Sequence, residues 1–496
     1  MIKNLKWLLL VSITFVACNS DDEPFVDPNS TDGSPLTAGT ADFSKYVSLG
    51  NSLTAGYSDS ALFYAGQAGS YPSILASQFS LVGGGEFNIP YMSDNTGGLL
   101  LGGTQIAGTR LYFNGSGPAP VAGPPTTDIT NVLTGPFNNM GVPGAKSFHL
   151  LAPGYGNVAG VLSGQANPYF VRFASSPTTS VLADALAQNP TFFSLWIGNN
   201  DVLSYATSGG SGTNQTGNLN PATYGANDIT DPSVFASVYS TLVDQLTANG
   251  AKGVVANLPY VTTIPFFTTV PHNPVPLNAA TATQLNSGYA AYNNGLLFAQ
   301  SNGLLSAAEV ARRTISFSAS STNRVVIVDS YLTNLSGFGI PSYRQATSED
   351  LIILPASSFI GTTVGGNPAQ VNGVSVPLAD NWVLSKEEVQ EVKVATDAYN
   401  ASIQSIANAK GLAFVDANAF QTQIASGGIS ANNFTVTSAY VTGGGFSLDG
   451  VHPSPRGYAL IANKFLEAIN ATYGSNFKGV NIGLYRILYP QDPANF

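Results

Sequence analysis

Charged side chains are scarce in this chain of 496 residues, where Asp, Glu, Lys and Arg together make up 9%. Ordinary globular proteins carry roughly one quarter. Net charge is −10 and no basic stripe occurs, which argues against nucleic acid as a partner. Histidine occurs only at positions 149, 272 and 452, and cysteine only at 18, so neither a transition-metal centre nor a disulfide framework is expected. No fixed-period repeat is present. In place of charge stand 52 Gly, 30 Pro and many Asn, Ser and Thr. A neutral surface rich in hydroxyls and amides suits a secreted protein, and 44% hydrophobic residues are ample for a large core.

At the N-terminus, Lys3 and Lys6 precede an apolar stretch from Trp7 to Ala17. It is too short to span a bilayer and has the length of a signal-peptide core. Two readings stand: a secretory signal cleaved nearby with Cys18 incidental, or a lipoprotein signal over 1–17 with Cys18 lipidated. The second is favoured, because an unpaired exported thiol otherwise has no role. Phe15-Val16-Ala17-Cys18 resembles a bacterial lipobox, with Phe15 where Leu is usual. That resemblance implies a cell-envelope protein, lipid-anchored to the outer membrane. Asp21-Asp22-Glu23 resembles a signal for export to the outer face, or is simply a solvated linker. Residues 18–40 read as a flexible tether.

Beyond residue 40, strand-like and helix-like segments alternate, which predicts a mainly parallel α/β sheet. Strands are expected at 43–49, within 190–197, and at 253–258, 324–329 and 412–416. Helices are expected at 70–79, 231–250, 278–301, 385–409 and 459–473. Gly- and Pro-rich insertions fall near 81–137, 204–230, 264–300 and 338–384. One domain over 41–480, with a tail at 481–496, accounts for this pattern.

Four stretches carry candidate chemistry. The first, Val47-Ser48-Leu49-Gly50-Asn51-Ser52-Leu53, ends a strand at a glycine. It delivers the Ser52 hydroxyl to the carboxyl edge of the sheet, where open α/β folds put their chemistry. Such serines also cap helices. The second, Asn139 to Ser147, reads as a turn before a helix. In the third, a buried apolar run breaks into Gly198-Asn199-Asn200-Asp201, setting amide donors at the same edge. An N-cap role for Asn200 or Asp201 is the structural alternative. The fourth contains Asp449 and His452, close enough on a turn for the carboxylate to orient the imidazole, as a serine base requires. His149 and His272 lack a nearby acid and read as surface or packing residues. Phe266 and Phe267 follow a buried strand and are expected to line the substrate cleft.

In this order the four stretches resemble the signature blocks of the SGNH, or GDSL-type, hydrolases. The resemblance implies a three-layer α/β/α fold with a mainly parallel, flavodoxin-like sheet. It implies Ser52 as nucleophile, His452 as base and Asp449 as its orienting acid. The oxyanion hole would comprise the N–H of Ser52, the N–H of Gly144 (picked over Gly141 by the Asn-x-x-x-x-Gly spacing) and the Asn200 amide. Asn51 departs from the family's Asp. No Gly-x-Ser-x-Gly pentapeptide occurs, so the nucleophile elbow of the rival serine-hydrolase fold is disfavoured.

These residues lead to a serine ester hydrolase of acylhydrolase or lipase type, needing neither metal nor cofactor. Its partner is an ester-bearing lipid or an acylated glycan. A carbohydrate O-acetylesterase on the same site, or a surface binding protein on a retired hydrolase scaffold, remain as alternatives. If Cys18 carries the lipid, Cys18→Ala is expected to leave the protein unprocessed or release it from membranes, as fractionation would record. Equal membrane association of a processed variant would defeat the anchor.

Overall fold

The computed structural model describes residues 26–492 and 494. The signal stretch and Cys18 lie outside them. Five strands form the central sheet: β1 (Tyr46–Gly50), β2 (Asn139–Gly141), β3 (Phe192–Trp196), β4 (Lys252–Ala256) and β5 (Ala413–Val415). Their order is β5-β4-β3-β1-β2 and every pairing is parallel. β1 and β3 are buried at every position, which explains their unbroken apolar runs.

Nine helices matter here: α1 (Ser52–Ala55), α2 (Tyr71–Phe79), α3 (Val181–Leu186), α4 (Asn200–Thr207), α5 (Pro232–Thr247), α6 (Ala279–Ser301), α7 (Lys386–Lys410), α8 (Ala417–Ser426) and α9 (Pro455–Tyr473). Helices α2 and α9 pack together on one face of the sheet, and α3, α5 and α7 on the other. The chain is therefore a three-layer α/β/α fold. Capping residues start the helices where the sequence suggests: Ser70 caps α2, Asp231 caps α5 with Pro232 in its first turn, and Ser385 with Glu388 forms a capping box on α7. Along α9, residues such as Leu460, Phe465, Leu466 and Ile469 are buried. Each such side chain contributes about 1.5–3 kcal/mol when taken from water.

Two strand assignments differ from expectation. Asn139–Gly141, read as a turn, is the edge strand β2. It is short and begins with a polar residue, but Asn139 is satisfied internally: its Nδ2 donates to Thr54 O at 2.9 Å, and its Oδ1 accepts from Gly141 N. Conversely, Val326–Val328 does not join the sheet but pairs antiparallel with Tyr343–Gln345 in an insertion. The insertion near 81–137 contains two small hairpins, Leu99–Ala107 and Leu111–Pro120.

The insertions are stapled by buried arginines. Arg110 donates to Asn95 O, Leu111 O and Pro490 O, Arg172 to Pro90 O and Tyr91 O, and Arg313 to Thr333 O and Pro341 O. Irregular backbone leaves carbonyls without ladder partners, and a guanidinium offers five donors to satisfy them. Arg344 instead meets Asp329 and Asp350 in a buried ion cluster.

Residues 27–40, expected within the flexible tether, are folded against the end of α9. Thr31 N donates to Asn476 O, Thr37 N to Asn476 Oδ1 and Thr40 N to Tyr473 O. The C-terminal stretch is likewise packed, with Tyr489 edge-on to Phe63 at 4.8 Å. Asn476 also donates to Ser34 Oγ. Asn476→Ala is expected to lose about 1–3 kcal/mol of local stability by leaving the strap's backbone groups unpaired. Limited proteolysis should then cut within 27–40 first. An unchanged cleavage pattern would show that the strap holds without this amide.

Candidate active site

The site lies at the carboxyl edge of the sheet, where β1 and β3 are neighbours and the order of connection reverses, the position open α/β sheets favour for ligands. Register sets it up: Gly50 lies opposite both Gly141 and Trp196. Three strands therefore end at one level, each followed by one of the motif stretches. A Cβ on Gly50 would lie 2.1 Å from Thr54 Oγ1 and 2.4 Å from Trp196 O. Only glycine lets the chain turn directly from β1 into α1, so Ser52 stands at the N-terminus of that short helix. The cap is Asn51, whose Oδ1 accepts from Leu53 N and whose Nδ2 donates to Asn199 Oδ1, both at 3.0 Å. An ionised Asp here could accept but not donate, so Asn51 suits an asparagine neighbour.

Ser52 Oγ lies 2.8 Å from His452 Nε2, and His452 Nδ1 lies 2.9 Å from Asp449 Oδ2. A carboxylate only accepts, so Nδ1 carries the proton and Nε2 is free to accept from the serine. Asp449 is tightly held: Oδ1 accepts from His452 N at 2.8 Å, Val451 N at 2.9 Å and Ser447 Oγ at 3.0 Å. Burial works to raise its pKa. The His452 charge and the hydrogen bonds from His452 and Ser60 outweigh that and hold it at about 2. Tyr57 packs against the imidazole with ring centres 4.6 Å apart.

The second and third motifs are locked together beside Ser52. Asn200 Nδ2 donates one proton to Ala145 O at 2.9 Å, leaving its second for the cleft. Asp201 accepts from Ser147 N and Ser147 Oγ at 2.8 and 2.7 Å. Gly144 adopts φ +82°, a left-handed conformation that a side chain would strain. Among the described residues, the N–H groups of Ser52 and Gly144 have no hydrogen-bond acceptor. Ser52 and Asn200 line the same cavity, and Asn200 is tied to Ala145, the residue after Gly144.

The other expectations divide. Phe266 borders a cleft beside His452, whereas Phe267 is buried in the core and lines neither cavity at the site. Its neighbour Ile264 lines the cavity at Ser52 instead. His149 has a packing role: burial, with the Lys146 charge, pushes its pKa down to about 4, and the ring stacks on Tyr155 at 4.6 Å. His272 accepts from Val325 N through its carbonyl. No cluster of three or more His, Cys, Asp or Glu side chains with metal-holding geometry occurs among the described residues. Nor is any described helix long and apolar enough to cross a membrane.

One component was not legible in the sequence, the tight turn at Asp59-Ser60. Both residues have positive φ, 51° and 64°. Ser60 N donates to Asp449 Oδ2 at 3.0 Å, while Asp59 Oδ1 accepts from Leu448 N at 2.8 Å. The turn therefore grips the loop that carries the acid and the histidine. Asp59-Ser60 has the turn-forming residue types that tolerate this backbone, but nothing local points to a partner 389 residues away.

No protein-family profile and no curated protein sequence matches the chain. A similar solved structure is an extracellular lipase from Streptomyces rimosus, with a TM-score of 0.27 at 12% identity over 86% of this chain and 98% of that one. Likeness at that level carries no functional weight beside the geometry.

Burial, opposed by the Leu448 N–H and reinforced by the Asp449 charge, pushes Asp59 up to about 7. A raised acid binds its proton more tightly folded than unfolded. Stability therefore falls as pH rises from about 4 to about 7 and levels off above that. Asp59→Asn keeps the acceptor for Leu448 and removes the titration. It is expected to stabilise the protein at pH 8, by at most about 4 kcal/mol, with the gain vanishing near pH 4. Denaturant titrations at both values would check this, and equal gains at both would rule out the charge as cause.

Proposed function

We propose that the chain is a serine ester hydrolase working through an acyl-enzyme on Ser52. The observation that carries this reading is the continuous hydrogen-bonded line Ser52–His452–Asp449, at 2.8 and 2.9 Å, with Asn200 lining the same cavity as Ser52. His452 Nε2 takes the Ser52 proton as Oγ attacks the ester carbonyl. The N–H groups of Ser52 and Gly144 and the Asn200 amide receive the negative oxygen of the tetrahedral intermediate. His452 then returns the proton to the departing alcohol. Water, activated by the same imidazole, releases the acid and restores Ser52. Asp449 holds the ring and balances its charge while it is protonated. We further propose that Cys18 anchors the enzyme in the outer membrane. A binding protein with a retired site is the weaker reading, because such a site has no need to keep base, orienting acid and donors in working geometry.

Ser52→Ala and His452→Ala are each expected to lower kcat by about 10⁴–10⁶, with the double variant little worse, because nucleophile and base act as a unit. Asn200→Ala removes one donor to an oxyanion that exists only in the transition state, so kcat should fall about 10²–10³ with KM little changed. Asp449, held at about 2, is a carboxylate at neutral pH, so it can keep the imidazole oriented throughout the reaction. Steady-state kinetics on a soluble ester, with fluorophosphonate labelling of Ser52, test these variants. Full activity in Ser52→Ala would defeat the proposal, and a change in KM alone for Asn200→Ala would remove that residue from the oxyanion hole.

A further inference from the structure

Two cavities of very different size meet at His452. The first opens at Ser52 and Asn200 and has a volume of about 70 Å³. Its walls are apolar, formed by Trp196, Leu203, Ile264, Phe420, Phe446 and Val451. A water-sized group needs roughly 10–15 Å³ of such space, so about five to seven such groups fit. The second cavity, about 520 Å³, touches His452 and Asp449 but neither Ser52 nor Asn200. The insertions supply Leu111 from the hairpin region, Phe266, and Ser357 and Ser358 from the segment before α7, and Tyr57 and Tyr440 are among its other walls.

The chemistry assigns a moiety to each cavity. The carbonyl carbon must sit on Ser52 with its oxygen on the donors beside Asn200, so the acyl chain continues into the small apolar cavity. The leaving oxygen must meet His452 Nε2, so the alcohol extends into the larger one. There, aliphatic and aromatic walls such as Leu111, Leu354, Phe266, Tyr57 and Tyr440 are joined by the hydroxyls of Ser60, Ser357 and Ser358. Apart from His452 the only Asp, Glu, Lys, Arg or His there is Asp449, which is already committed to His452. Tyrosine and phenylalanine faces suit the C–H faces of a sugar ring, and the Ser60 and Ser357 hydroxyls suit its hydroxyls, while Tyr57 and Tyr440 donate to Ser60 O and Leu448 O and can only accept. A charged headgroup would find no counter-ion.

From this juxtaposition we infer that the substrate is a short-chain acyl ester of a bulky, uncharged, hydroxyl-rich alcohol, of which an O-acetylated sugar is the type. The ester C–O bond breaks as the Ser52 acyl bond forms, and the alcohol oxygen takes the proton from His452. One water then splits the acyl-enzyme, so each turnover consumes one water and yields one acid and one alcohol. The inference rests on the ester-hydrolase reading and adds to it which part of the ester is small.

The test uses the full chain and p-nitrophenyl esters from two to sixteen carbons. kcat/KM is expected to peak between two and six carbons and to fall at least about tenfold by twelve. Phe420→Ala, which widens the small cavity, should shift the peak to longer chains. Ser357→Trp, at an exposed position in the large cavity, should lower the ratio of kcat/KM for 6-O-acetylglucose to that for ethyl acetate by at least about tenfold. Rates that climb to twelve or sixteen carbons would overturn the inference while leaving the esterase intact, since Ser52 would still take a fluorophosphonate label. An unchanged ratio in Ser357→Trp would remove the alcohol from the large cavity. Failure of every ester together with absence of labelling would overturn the hydrolase reading itself.

Discussion

One imidazole ring joins the two ends of the chain. His452 reaches Ser52 across 400 residues of sequence, and its position depends on everything that fixes the loop from Ser447 to Ser454. That loop is closed on itself by Ser447 N donating to His452 O at 2.8 Å. It is held from outside by the Asp59-Ser60 turn, and its end is the N-cap of α9, where Ser454 Oγ accepts from Gly457 N at 3.0 Å. The buried face of α9 then carries the placement into the core. A loop that must aim a side chain to within a few tenths of an ångström is here bolted at three points to rigid elements, and the uncommon backbone at residues 59 and 60 is the strain that such aiming requires.

Much of this was readable from residues. The buried strands β1, β3 and β4 announced themselves by apolar runs ended by glycine or amide residues, β5 by a short apolar run after Gly411, and the long helices by caps and spacing. Ser52 stood out because it follows a strand that ends at a glycine, and Asp449 and His452 because they lie three apart on a turn; hydrogen bonds join the three side chains in the fold. The short edge strand β2 escaped because three residues beginning with Asn139 have no period to detect, and its stability comes from an amide bonding to α1. Val326–Val328 deceived for the opposite reason: a good local strand found its partner inside an insertion. Phe266 and Phe267 could not be told apart in sequence, since which ring faces a cleft depends on how Pro265 starts its short helical turn.

The scarcity of charge acquires a meaning in three dimensions. Arg110, Arg172, Arg313 and Arg344 are all fully buried. Three of them, Arg110, Arg172 and Arg313, spend donors on the carbonyls of irregular segments and so act as internal scaffolding for loops that lack ladders of their own. Those loops in turn bring Leu111, Ser357 and Ser358 to the rim of the site. Removing such an arginine would leave several carbonyls unsatisfied at once, a larger loss than any surface ion pair could cause.

The strap of residues 27–40 also gives the molecule a direction. It is fastened beside Tyr473 and Asn476, at the far end of α9 from His452, and Lys252 at the start of β4 donates to Thr40 O at 2.5 Å. At about 1.5 Å per residue, the 19 residues of α9 separate the two ends by roughly 28 Å. The chain that enters the strap at residue 27 therefore joins the fold at the amino edge of the sheet, a full helix length from the imidazole at its opposite edge.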